Sequence, residues 1–96
     1  MKKIKLPNAP EPKGHYSPAV VRNGLIFVSG QLPMNLETLE IENGSIEAQA
    51  ELALLNVERI LHAAGSDLQN VLQMTIYISD IELWGEVNEV YARILG

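Results

Sequence analysis

Three polar residues of this 96-residue chain stand where a side chain could hold a small molecule: Tyr16, Ser29 and Asn88. A phenol, a hydroxyl and an amide offer directed hydrogen bonds, enough to fix a planar ligand or a water. Asn88 falls inside an apolar helical stripe, one turn from Trp84 and beside Tyr91, so its amide needs partners; leaving it unsatisfied costs roughly 1–3 kcal/mol. Ser29 ends an apolar strand-like run, and Tyr16 sits between Gly14-His15 and Pro18. Each also has a plain structural account: a helix-to-sheet bond for Asn88, a backbone-satisfied strand end for Ser29, a packed ring with a wet tip for Tyr16. None is a specific signal by itself.

Other chemistry is excluded more firmly. The chain has no cysteine, which removes disulfides, thiol catalysis and thiolate metal sites. His15 and His62 lie in different elements without ligand spacing, and His62 reads as a surface residue late in a helix. Ser29-Gly30-Gln31 leads into a loop rather than a helix N-terminus, so it is no phosphate cradle. The formal charge is −5, and four of the seven basic residues (Lys2, Lys3, Lys5 and Lys13) crowd the first thirteen positions. With no basic stripe elsewhere, a nucleic-acid surface is not expected. Neither a secretory signal nor a run of membrane-spanning length is visible, so a soluble cytoplasmic protein is expected. Composition, 47% apolar and 20% charged, is globular, and the length fits one domain over residues 1–96. A domain this small buries only about 60% of its unfolded surface, which makes association with further copies plausible.

The elements that must carry these residues follow from periodicity. Ile4 to Leu6 can form a short strand, after which Pro7, Pro10 and Pro12 enforce an extended connection. Ala-Val-Val-Arg, Asn23-Gly24, then Leu-Ile-Phe-Val-Ser is a β-hairpin on a type I′ turn. That turn sets Arg22 opposite Leu25, Val20 opposite Phe27, Pro18 opposite Ser29 and, if pairing persists, Tyr16 opposite Gln31. Tyr16, Val20, Phe27 and Ser29 then share one face, although Pro18 cannot donate to the ladder and fraying is expected there. Leu32 to Gly44 is a polar loop without a strong pattern. Ser45 caps an amphipathic helix on the stripe Ile46, Ala50, Ala53, Leu54, Val57, Ile60, Leu61 and Ala64, closed by Gly65. Val71 to Ser79 alternates with period two, Leu72, Met74, Ile76 and Ile78 making an apolar face, and is expected to be a strand. Asp80 caps a second helix, with Trp84, Val87, Tyr91, Ile94 and Leu95 inward and Gly96 at the C-cap. Hairpin, helix, strand and helix predict an α+β domain with both helices on one side of the sheet.

Taken in order, these segments resemble the Rid family, also called YjgF. The family's opening is similar to Ala9-Pro10 through Gly14-His15-Tyr16-Ser17-Pro18-Ala19-Val20, and its strand signature to Phe27-Val28-Ser29-Gly30-Gln31-Leu32-Pro33. Gln49 with Ala53-Leu54 and Asn56, Ala63-Ala64-Gly65-Ser66, Thr75-Ile76-Tyr77-Ile78 and Val87-Asn88-Glu89-Val90-Tyr91-Ala92 follow at matching distances. The resemblance implies a chorismate-mutase-like fold, a mixed β-sheet backed by two helices. It also implies a homotrimer joined through the open sheet faces, with active sites between subunits. The implied activity is that of a 2-iminobutanoate/2-iminopropanoate deaminase, hydrolysing imines and enamines such as 2-aminoacrylate to 2-oxo acids and ammonia, with no metal or other cofactor. By position it makes Tyr16, Ser29 and Asn88 catalytic residues and Gly30 and Gln31 substrate-binding ones.

Two departures touch that site, His15 for the family's proline and Pro18 for its glutamine. The family pattern also continues past the second helix into a Pro-Ala-Arg segment, whose arginine grips the substrate carboxylate, and two further strands carrying a glutamate that handles water. Residues 1–96 reach neither, and Arg93 precedes the arginine position, so it reads as a helix-terminal cation. The resemblance thus implies a domain truncated at its C-terminus and impaired as a catalyst. The alternative is a non-catalytic Rid-type protein that binds a metabolite or regulates a partner; a translation- or RNA-linked role suits the acidic charge less well.

Overall fold

The computed structural model describes residues 2–6 and 17–96. Three short strands form an antiparallel sheet: β1 (Lys2–Ile4), β2 (Ala19–Arg22) and β3 (Leu25–Val28), in the order β1-β2-β3. The leading strand lies two residues earlier than its sequence pattern suggests, pairing Lys2 with Val21 and Ile4 with Ala19. The hairpin keeps the expected register, Arg22 opposite Leu25 and Val20 opposite Phe27. Asn23 and Gly24 take φ of 53° and 77°, the left-handed pair a type I′ turn requires. Pairing does not fray at Pro18: its carbonyl accepts the Ser29 amide at 3.0 Å, a role that needs no proline N–H.

Helix α1 (Ile46–Ala63) begins at Ser45, whose Oγ accepts from the Ala48 amide at 3.1 Å, and leaves through Gly65 at φ 84°. Helix α2 (Trp84–Leu95) is entered through a 3₁₀ turn, Ile81–Leu83, capped by Asp80, whose Oδ1 accepts from the Glu82 amide. The core lies between the helices and one sheet face. Ile60 packs against Ile4 and Ala19, with Val21, Ile26 and Val28 around them. Leu54, Leu61 and Leu68 form a second cluster that reaches Tyr91 and Ile94. Ala50 meets Val87 and Val90, with Ile76 and Ile78 alongside. Among the described residues no helix is long and apolar enough to cross a membrane.

The structure corrects three expectations. The sheet is antiparallel throughout among the described residues rather than mixed. Residues 71–79 are not a strand: among the described residues they join no ladder, and a strand is defined by the bonds it makes to another chain segment. Their alternation survives only in part. Met74, Ile76 and Ile78 turn inward, Thr75 and Tyr77 outward, while Leu72, expected on the inner face, is 87% exposed. Finally, 32–44 is less featureless than its composition. Met34 bridges Ile41, and Asn35 folds an Asx turn by accepting from the Glu37 and Thr38 amides.

Candidate functional site

Ser29, Gly30 and Gln31 leave the end of β3 and bend over an open trough. β3 alternates, so Leu25 and Phe27 face away from the helices and Ile26 and Val28 face them. Ser29 continues the Phe27 side. Its hydroxyl donates to the Ser17 carbonyl at 2.5 Å and its amide is held by Pro18, so both of its donors are spent. What Ser29 can still offer is a lone pair, as acceptor from an N–H or O–H. Gln31 turns its Nε2 back on the Ser29 carbonyl at 3.2 Å, stiffening the bend. Gly30 is exposed, with nothing within 4 Å of where a Cβ would sit, leaving its backbone open to approach.

The trough has a volume of about 1390 Å³ and runs from the Gly24–Pro33 stretch across α1 to residues 70–79. Its floor is apolar, from Ala50, Ala53, Val57 and Leu61, and Val87 and Tyr91 of α2 border it. Burial pushes the Tyr91 phenol above its ordinary 10.0, keeping it neutral. Among the described residues no lysine or arginine lines this space. Arg93 is instead drawn to Glu51 at 3.3 Å, and Arg59 lies 3.9 Å from Glu37.

Of the residues singled out from sequence, Ser29, Gly30 and Gln31 are brought together. Tyr16 lies outside the described residues. Asn88 is exposed on α2 and does not border the trough, which corrects its reading as a buried amide in the apolar stripe. The inward face of α2 is Val87, Val90, Tyr91 and Ile94, an i, i+3, i+4, i+7 set. Asn88 and Trp84 lie on its exposed flank, and Leu95 is likewise exposed.

The buried amide of this fold is Asn56, 1% exposed, whose Nδ2 donates to the carbonyls of Leu32 at 3.0 Å and Met34 at 2.7 Å. It ties α1 to the segment that continues from Gln31, and so supports the bend from behind. The signal was present in the spacing: Asn56 lies three residues after Ala53 and four before Ile60, on the same helical face.

A three-stranded sheet carrying two helices on one face, with a polar bend at the end of its edge strand, defines an α+β domain of chorismate-mutase-like type. The pattern of the Endoribonuclease L-PSP family matches residues 6–96, and the chain belongs to that family, the Rid or YjgF group its motifs resemble. It is 40% identical over 90 residues to the 2-iminobutanoate/2-iminopropanoate deaminase of Rattus norvegicus, covering 94% of this chain and 66% of that protein. A crystal structure of a Thermotoga maritima protein superposes with a TM-score of 0.91 at 39% identity, over 97% of this chain and 73% of that one. TdcF of E. coli, solved with bound serine, gives 0.89 at 35% identity over 98% and 73%.

Proposed function

We propose that this domain binds small 2-imino acids or their enamine tautomers, 2-aminoacrylate among them, and hydrolyses them to a 2-oxo acid and ammonia. Water adds to the imine carbon and the nitrogen leaves as ammonia, so the reaction balances without oxidant, metal or other cofactor. The carrying observation is Ser29, whose hydroxyl donates its hydrogen bond to the Ser17 carbonyl and so meets a ligand as an acceptor. An imine nitrogen carries the N–H to match it. Gly30 and Gln31 line the same bend, and the resemblance assigns Tyr16 and Asn88 to the site as well. With Asn88 facing away from the trough, its contribution suits a site shared between subunits, in keeping with the homotrimer the resemblance implies. The exposed sheet face bearing Leu25 and Phe27, 48% and 58% exposed, is the surface available for that association. The name of the rat relative and the amino acid bound in TdcF support the substrate class.

A 2-imino acid also has a carboxylate, which needs a cation, and among the described residues no lysine or arginine lines the trough. On this reading residues 1–96 by themselves are expected to be slow catalysts. The same observation favours a second reading, a domain that binds a 2-oxo or imino acid without turning it over. RNA is disfavoured as ligand: the net charge is −5 and no lysine or arginine among the described residues lines the trough. A cytoplasmic setting suits a substrate that hydrolyses unaided in water.

The test is 2-oxo acid release from 2-aminoacrylate generated in the assay. Ser29→Ala should lower the rate at least tenfold, the size of one lost charge-assisted bond of about 1.5–3 kcal/mol. An unchanged rate would reject Ser29 as a site residue. Binding of 2-oxobutanoate without any turnover would select the second reading.

A further inference from the structure

The bend that carries Ser29, Gly30 and Gln31 is a span between two anchorages. On one side Ser29 is fixed to the hairpin, its amide and hydroxyl held by the Pro18 and Ser17 carbonyls. On the other, the Leu32 and Met34 carbonyls both accept from Nδ2 of Asn56, at 3.0 and 2.7 Å. Between them, neither Gly30 nor Gln31 makes a hydrogen bond to the backbone of another described residue. A span of that kind takes its shape from its ends, and here one end is a side chain 24 residues further along the chain. The segment beyond the bend can transmit the hold. The Met34 amide donates to the Leu32 carbonyl at 2.8 Å, and the Asn35 and Glu42 amides donate to the Glu40 and Pro33 carbonyls, closing a small hairpin. Two side chains of α1 reach this hairpin. Arg59 lies 3.9 Å from Glu37 with both side chains exposed, a pair worth little. Asn56 is 1% exposed and bridges two carbonyls, which fixes both distance and direction. An apolar residue at 56 would complete the α1 stripe; what the amide adds is a set position for residues 32–34.

We propose that Asn56 is a positioning residue for the ligand site: it holds the Gly30–Gln31 bend where the bend and Ser29 can meet one small 2-oxo or 2-imino acid together. Asn56 does not border the trough, so it acts through the bend and not by touching the ligand. The inference rests on the reading of that site given above and adds to it a residue on α1. A reciprocal effect follows. If the Asn56 bonds favour the bend that binds, bound ligand must favour the Asn56 bonds by the same factor.

The test is calorimetric binding of 2-oxobutanoate to residues 1–96 and to three variants, each first checked for folding by circular dichroism. Asn56→Ala should weaken binding at least about tenfold, the scale on which a small misplacement of a binding group acts. Two controls separate position from stability. Arg59→Ala removes the surface contact to the same hairpin, and Leu54→Ala empties a core position of α1 that does not border the trough. Each should change affinity by no more than about twofold. The unaltered chain gives a readout free of any folding defect. On saturation with 2-oxobutanoate, the Asn56 Nδ2 protons should exchange with water at least about threefold more slowly relative to the Leu54 amide, as reciprocity requires. Should the alanine variant not fold, this exchange measurement decides. Affinity untouched in folded Asn56→Ala, an equal loss in Leu54→Ala, or unchanged relative exchange would overturn the positioning role while leaving the ligand reading intact. No binding by the unaltered chain would overturn both.

Discussion

Helix α1 and the segment 71–79 are both strongly patterned in the sequence, and the structure treats them differently. Along α1 the backbone bonds close within the segment, its ends are met by Ser45 and Gly65, and its apolar stripe finds the sheet. Along 74–79 the side chains alternate as a strand's should, yet the backbone of 72–79 makes no hydrogen bond to the backbone of another described residue. The difference lies in where each structure gets its hydrogen bonds. A helix is completed by residues four apart, a strand by residues elsewhere, so helical pattern predicts an element where strand pattern predicts only a capacity for one.

This contrast can be sharpened by substitution. Leu54 of α1 is 0% exposed between the clusters, so Leu54→Ala should cost about 2–5 kcal/mol in urea denaturation. A loss under 1 kcal/mol would mean the helix face is not the core. Asn56→Ala should cost less, about 1–3 kcal/mol, by leaving the Leu32 and Met34 carbonyls without their donor. At the far end, Leu72→Ala should change stability by no more than about 0.5 kcal/mol, because that side chain is 87% exposed. A large effect at Leu72 would break the comparison and indicate that 71–79 is paired in solution.

The same reasoning separates what was legible beforehand from what was not. The hairpin could be read to the residue because Asn23-Gly24 sets its register locally, and it holds through Pro18 and Ser29. Both helices were legible from stripe and cap. Only the orientation of α2 was misjudged: counting Trp84 as inward turned Asn88 toward the core, whereas Val90 takes that side. Asn56 was legible as a polar residue on the apolar face of α1, but its partners, two loop carbonyls 22 and 24 residues away, were not, because only the fold brings them to it. The bend at Ser29 was visible as residue types, but not that its hydroxyl proton is already committed to Ser17. Hydrogen-bond direction is a property of the folded neighbourhood, and no spacing in the sequence encodes it.

The site and the trough meet at Gly30 and Gln31, where a bend able to accept an imine N–H adjoins a space that no cation among the described residues lines. The most direct test is the steady-state rate of 2-oxo acid release from 2-aminoacrylate by residues 1–96, measured beside the rat deaminase at equal concentration. Truncating one side of a buried charge pair costs about 2–5 kcal/mol, so a rate at least about thirtyfold below the rat protein's, lowered further by Ser29→Ala, is predicted. A rate equal to the rat protein's would contradict the account, for it would mean that a carboxylate is gripped without a cation from the described lining of the trough.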